Sequence, residues 1–431
     1  MSSILSIDPA NSVLGVADYY AEAARVKLGG QTAEPLTNMT DKRTRTKLLQ
    51  RTQAELMLAL HDWGMGRGNQ AYKGLGSAID SADVLGLSSG PQNPLPARYQ
   101  EEDRHLMQAY QQRLCPTRFG EEGEEDYVQA EVERRTFWAC FVMDCYLGGA
   151  QQRRSKIDKE KIPIQLPMSD QSFAFGKNVK TKLLGESRAE FDARYNAELR
   201  QHQLLQERKP INEDRTSDMR KNAMQFTSAK GPLIEIEESE GYHAHWIRAV
   251  CVFGKVLAWS CRGGRRTGNA DDISAPWDER SRFRQLEIEL ETFQESLPPD
   301  WIYSEGNTSG HKRVGSTTPY VLINVARLLC SVMLHREYLP FIPVSVDKPQ
   351  GPLDEPTFHA DERTPHENAH YWEDSARKCF RAARDIVDLL EACTKANVLP
   401  ETPLVAFGSW QTAFVGKITC IIVCFWFAKG V

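Results

Sequence analysis

Apolar residues recur along this chain at steps of three and four. Ala71, Leu75, Ala78, Ala82 and Leu85 mark one stripe that stops at Gly86, the apolar face of a helix followed by a residue that ends helices readily. Phe283, Leu286, Leu290, Phe293 and Leu297 form a second, closed by Pro298-Pro299. Leu322, Val325, Leu329 and Val332 form a third that stops by Pro340, and Trp372, Ala376, Cys379, Ala383, Ile386, Leu390 and Cys393 a fourth. Small residues at half the seam positions of the last predict a core helix rather than a coiled coil. The segment His245–Ser260 and the third stripe are apolar enough to be central. One stretch has no polar face: from Phe137 to Met143 the run FWACFVM is apolar all round, so it must lie in a deep interior. It is too short to span a bilayer, which takes roughly 20 apolar residues. Two arginines, Arg134 and Arg135, lead into it, and Asp144 closes it.

No alternating pattern of strand type is sustained. Ile162–Pro167, IPIQLP, is extended because its prolines block helix formation. The pattern therefore predicts an all-α, multi-helix domain, helices packed on helices, joined by irregular proline-rich loops. Residues 121–126, EEGEED, read as a solvated acidic loop leading into the opening helix. Residues 186–232 carry alternating charge and few large apolar side chains, and read as an exposed helix or a flexible insertion. Residues 343–368 are proline-rich and irregular. No internal repeat is present.

The bulk numbers narrow the function classes. At 431 residues the chain is large enough for two or three domains. A net charge of −5 does not suit a chain that binds nucleic acid by itself through a basic face. Ten cysteines occur without a short framework spacing. Cys140, Cys251 and Cys330 fall in apolar runs, where a thiol packs as a small hydrophobe, which suits a reducing compartment, nucleus or cytoplasm. The N-terminal residues lack the charged and apolar regions of a signal peptide.

Several motifs invite chemistry. His366-Glu367-Asn368-Ala369-His370 is a literal H-E-x-x-H, which on a helix would place two zinc-binding histidines on one face with a glutamate as general base. Glu391 or Glu401 could supply a third ligand. Thr364-Pro365 and a proline-rich loop precede the motif, so a helix begins only where the motif does, and the metal reading is the alternative rather than the expectation. Gly64, Gly66 and Gly68, with Gly74 and Gly76, are glycine-rich but match no nucleotide fingerprint. They predict a tight turn between two helices and close helix packing at Gly74. The basic runs Lys42–Lys47 and Arg262–Arg266 read as a solvated helix start and a flexible loop, the former with a nuclear address as its sharper reading. The nearest cysteine pairs are Cys420-x3-Cys424 and Cys140-x4-Cys145; neither has the C-x2-C spacing of a zinc module.

The run EVERRTFWACFVMDCYL, with Arg134, Arg135, Phe137, Trp138, Asp144 and Tyr146 in place, resembles the signature helix of the fungal-specific transcription factor domain. That domain is the regulatory middle homology region downstream of fungal binuclear zinc clusters, as in regulators of xylanolytic-activator type. Other segments resemble the same family in the same order: the tryptophan-glycine turn at Trp63, Gly64, Gly66 and Gly68, the extended segment with Leu166 and Pro167, and SLPPDW, MLHREYLPFIP and the long run from Tyr371. The resemblance covers roughly residues 15–416. It departs at Cys145, where the family carries arginine or lysine, at the turn GGAQQRRSK, and in the six-cysteine cluster with its basic linker, which the sequence does not contain.

The resemblance implies a non-enzymatic regulatory domain acting in transcription in the nucleus. Its implied partners are a second copy or another regulator, and a small-molecule inducer, with DNA reached only through a zinc-cluster module outside this sequence. It implies no cofactor, metal or membrane. A zinc hydrolase on His366, Glu367 and His370 is the runner-up, and a helical dimerisation scaffold the third reading. Residues 1–40 are the lead-in, 41–416 the regulatory domain and 417–431 an atypical hydrophobic tail. Gly416-Lys417 can be encoded by bases containing a splice-donor signal, so the tail is expected to be intron-derived or a docking helix. For the signature helix two readings stand: structural pairs that lock helices in register, or the wall of a sensor pocket. Either way Asp144 needs a cation or several donors, and the arginines, placed near a helix start that disfavours cations, are expected to be held by acids from elsewhere in the fold or by a ligand.

Overall fold

The structure, a computed structural model, describes residues 13–30, 42–88, 124–149, 153–160, 162–207, 235–236, 240–266, 274–339, 351–358 and 370–428. The fold is all-α: helices dominate, and among the described residues strand is confined to one two-residue parallel pair, Val179–Lys180 (β1) with Glu235–Ile236 (β2). The chain divides into two compact units, Met1–Met143 with Asp158–Gly241, and Asp144–Ile157 with Tyr242–Val431.

The first unit is built on α1 (Val13–Gly30), α2 (Lys42–Gly64), α3 (Gly68–Val84) and α4 (Glu124–Leu147, as far as Met143). Short α5 (Asp170–Ala174) and α6 (Arg188–Glu207) follow. Helices α2 and α3 pack as an antiparallel hairpin through small side chains: Ala59, Ala71, Ala78 and Ala82 are all buried. The turn between them needs glycine at Gly66, whose φ is +73°. At Gly74 a Cβ would stand 3.8 Å from that of Ala59, an ordinary contact, so the close approach there does not depend on glycine. The acids of the predicted loop behave differently from expectation. Helix α4 begins at Glu124, so the last three residues of that segment are helical. Within 186–232 the helical alternative holds as far as Glu207, and residues 208–234 lie outside the described ones.

The second unit packs α7 (Tyr242–Cys261), α8 (Arg282–Ser296), α9 (Glu305–Val314), α11 (Tyr371–Lys395) and α12 (Pro403–Ala428) around α10 (Thr317–Arg336). Helix α10 is long and apolar enough to cross a membrane by length and composition, but 72% of that window is buried inside the protein. Its two sides are both core, which is why the sequence shows no polar face there. Asn324 is one of its buried polar residues. It is fully buried, donating to the Trp301 and Tyr320 carbonyls at 2.9 Å and accepting from the Tyr303 amide at 2.9 Å, so the SLPPDW turn is fastened to the central helix. Ser281 and Ser304 cap α8 and α9 by accepting from amides three residues on.

Two expectations are corrected here. Arg262–Arg266 is not a loose basic loop. Gly264–Arg266 forms a 3-10 turn, and the buried Arg265 donates to the carbonyls of Glu337 (3.0 Å), Asp354 (3.0 Å) and Pro356 (2.6 Å) and pairs with the Asp354 carboxylate. It thereby pins residues 351–358, the described part of the proline-rich segment, which is irregular as its composition predicts. Likewise Lys42–Lys47 starts a helix, but Arg45 within it is buried rather than solvated.

Candidate functional site

The signature helix is considered first, unit by unit. In the first unit the charged residues opening α4 form a network. Arg45 of α2 grips Glu133 with two hydrogen bonds, 3.0 and 2.9 Å, and gives a third to the Leu85 carbonyl at 2.8 Å. The side chains of Arg45 and Glu133 are 3% and 1% exposed, so α2, the end of α3 and α4 are joined by one desolvated pair. Glu131 is the hub for the two arginines. Arg134 pairs with it, Arg135 donates to it at 3.0 Å, and the Met168 amide donates to it at 3.0 Å. Arg135 continues to Asp170 (2.9 Å) and the Met168 carbonyl (3.1 Å), and lies over the Phe173 ring at 4.3 Å. The first partner of both arginines is thus an acid of their own helix, spaced three and four residues back, with Asp170 added from α5. The helix dipole alone disfavours cations at this position; Glu131 offsets it from within the same helix.

Trp138 anchors the extended segment. Its indole donates to the Gln165 carbonyl at 2.8 Å, and its ring meets Phe137 and Phe141 edge-on at 5.3 and 5.2 Å. Leu166 and Pro167 are buried, and the Leu166 amide donates to the Lys182 carbonyl at 2.8 Å. At the glycine turn, the amide of Arg67 donates to the Asp62 carbonyl at 2.7 Å, and the Asp62 side chain accepts from Arg25 (2.6 Å) and Arg67 (3.3 Å). Trp63 sits half-buried between them in sequence, with Gly64 and Gly66 exposed and Gly68 starting α3.

The last residues of α4 belong to the second unit. Asp144 is fully buried and accepts from the Ser155 hydroxyl, the Lys156 amide (3.0 Å) and the Ile157 amide (3.1 Å). Its charge is met by donors of a loop rather than by a cation. Cys145 explains itself by packing: a Cβ on Gly254 of α7 would come within 2.9 Å of its Cβ, so the two helices touch at backbone distance, where an arginine side chain would have to leave the contact. Tyr146 is buried against Trp246 and Phe253, ring centres 6.2 and 6.0 Å away.

The H-E-x-x-H motif is only marginally visible. His366 and Glu367 lie outside the described residues, while His370 is exposed at the start of α11, its Nδ1 3.5 Å from Glu373.

A cleft of ≈ 660 Å³ in the second unit went unread in the sequence. Helices α8 and α11 form its walls, Trp277 and Tyr371 a corner, and His335 of α10 part of its lining. Glu287, buried, accepts from Lys378 and Arg284 at 2.6 Å each, and its carboxylate lies 3.7 Å from His335 Nε2. His335 Nδ1 meets the Ser375 hydroxyl at 2.9 Å. Burial pushes the His335 imidazole down to about 4, so it is neutral at physiological pH. For Glu287, burial alone would raise the pKa; Lys378, His335 and Arg284 outweigh it and hold the group below the ordinary carboxylate value. The hydroxyl of Tyr371 is buried with no hydrogen-bond partner. The signal in the sequence is faint: Asp374, Arg377, Lys378 and Arg381 share one face of α11, opposite its apolar stripe, and such a face reads as solvated until α8 is seen beside it.

Comparison with known proteins gives this arrangement its class. Residues 22–220 match the family model of the fungal specific transcription factor domain. Among curated proteins it is similar to the Zn(2)-C6 fungal-type transcription factor FTF1c of Fusarium oxysporum f. sp. lycopersici, 20% identical over 366 residues, which cover 85% of this chain and 31% of that protein. It is also similar to an uncharacterized transcriptional regulatory protein of Schizosaccharomyces pombe, 23% identical over 312 residues, 71% of this chain and 35% of that one. The chain therefore spans about a third of the length of the curated relatives it matches. No solved structure matches it.

Proposed function

We propose that this chain is the non-catalytic, signal-receiving region of a fungal transcription regulator. It works in the nucleus, coupled through dimerisation or a partner contact to a zinc-cluster module that reads DNA. The observation that carries the reading is the match of most of the chain to about a third of longer transcription regulators, one of them named a Zn(2)-C6 fungal-type transcription factor. The buried charge pairs of α4 support a structural role for the signature residues, which leaves signal reception to a surface or cleft. No cofactor is needed for such a task.

The test is to fuse the full chain to a heterologous DNA-binding domain and measure a reporter under varied nutrient conditions. A reporter that changes several-fold with condition supports the reading. Output fixed at a new level under all conditions indicates a dimerisation scaffold, and output equal to that of the DNA-binding domain alone overturns the proposal. Stoichiometric zinc in the purified chain, lost on His366→Ala, would bring back the hydrolase.

A further inference from the structure

The cleft between α8 and α11 has the charge arithmetic of a binding site. Its lining carries four cations and four carboxylates, with His335 neutral. Most of these charges meet one another: Arg284 and Lys378 both reach Glu287 and Glu291, and Arg377 pairs with Asp374. One of each sign is left over. Among the described residues neither Arg381 nor Glu279 makes an ion pair within 4.0 Å, and Asp385, one turn along α11, acts on Arg381 only from beyond that distance. Both are exposed and line the cleft, as does Tyr371, whose buried hydroxyl has no hydrogen-bond partner. A buried hydroxyl without an acceptor is costly and uncommon. Removing it should not harm the fold, so its presence calls for a reason.

A ligand that is purely anionic would leave Glu279 facing it, and a purely cationic one would leave Arg381 facing it. Only a ligand with both charges keeps the cleft balanced while engaging both unpaired groups. Trp277 and Tyr371, ring centres 5.2 Å apart at 74°, offer an apolar corner for the rest of the molecule. The volume lies within the range of about 300–1,000 Å³ typical of small-molecule sites.

We infer that the α8–α11 cleft binds a free amino acid with an apolar or aromatic side chain: its carboxylate on Arg381, its ammonium on Glu279, its side chain on Trp277, and an acceptor supplied to Tyr371. This inference rests on the signal-receiving reading and names the signal's chemistry. The paired set around Glu287 is the rigid floor of the site and touches no charge of the ligand.

The experiment is thermal unfolding and calorimetric titration of the whole 431-residue chain with L-phenylalanine, L-tryptophan and L-leucine at millimolar concentration. 3-Phenylpropanoate and 2-phenylethylamine, each lacking one charge, serve as controls. At least one amino acid should raise the melting temperature by mass action while both controls leave it unchanged. Arg381→Ala and Glu279→Ala, exposed and unpaired, should fold normally and weaken binding about tenfold or more, the loss expected when a charged contact goes. Tyr371→Phe should keep the wild-type melting temperature without ligand and weaken binding with it. A control acid that binds as well as its amino acid would make this an anion site and overturn the inference; so would the absence of a shift with all three amino acids. A fusion that regulates the reporter without any amino-acid shift sinks the inference alone. A shift with an inert fusion sinks the functional reading alone.

Discussion

At the scale of single residues, Asp144 shows what a buried charge requires. It has no cation beside it among its hydrogen-bond partners; three donors from Ser155, Lys156 and Ile157 hold it instead. Truncation to alanine would strip two backbone amides of their acceptor, while the Ser155 hydroxyl would keep the Ile157 carbonyl at 3.0 Å. Asp144→Ala should therefore destabilise the chain by about 1–3 kcal/mol, read as a shift of the urea midpoint at constant slope. Asp144→Asn, which keeps one acceptor oxygen, should lose less. Unchanged midpoints for both would mean that the loop finds other acceptors or water. The arginines teach the opposite lesson. Arg134 and Arg135 find Glu131 within their own helix, and that pairing was open to view, since Glu131 stands three and four positions before them.

At the scale of helices, packing distance decides which residue is tolerated. Gly254 of α7 lies where a Cβ would meet Cys145 at 2.9 Å and its backbone at 3.2 Å. Gly254→Ala should cost about 1–3 kcal/mol as overpacking, although alanine ordinarily favours a helix over glycine by about 1 kcal/mol. Thermal unfolding that shows stabilisation would mean that the helices slide apart without penalty. Helices were legible where an apolar stripe marked them, at Ala71–Leu85, Phe283–Leu297, Leu322–Val332 and Trp372–Cys393, whereas Val13–Gly30 and Glu305–Val314 carried no such stripe. What a linear pattern cannot carry is which polar face meets another. The cleft required α8 and α11, distant in sequence, to align Glu287 with Lys378, and each face alone looks like solvated surface. Arg265 was hidden for the same reason: its acceptors are main-chain carbonyls, which no side-chain motif announces.

At the scale of the whole molecule, the acid response of stability follows from the buried floor of the cleft. His335 is held near 4 in the folded protein, first by burial, with Lys378 adding to it and Glu287 opposing. Unfolded, the imidazole returns to about 6.5. Between those values the unfolded chain binds a proton that the folded chain refuses, so stability rises with pH across that window. This group's contribution is complete above about pH 6.5 and declines on acidification, by up to about 1.4 kcal/mol per pH unit. Glu287, its pKa lowered in the fold, adds a second loss that sets in only as pH falls below about 4.5. Denaturant midpoints from pH 8 to 4 should show the first slope, and His335→Gln should flatten it while leaving the lower-pH loss in place. A flat wild-type profile between pH 6.5 and 4.5 would contradict the buried neutral imidazole.

The burial of Arg45 has a consequence for traffic. In the sequence Lys42–Lys47 could pass for a label that a transport receptor recognises. In the folded protein the central cation of that label is 2% exposed and clasped by Glu133, so a receptor would have to unwind the start of α2 to read it. Under the nuclear role proposed above, delivery would rest on another segment or on a companion that carries its own passport, and fluorescence microscopy of the tagged chain should show the same distribution with or without alanine at Lys42, Arg43 and Lys47.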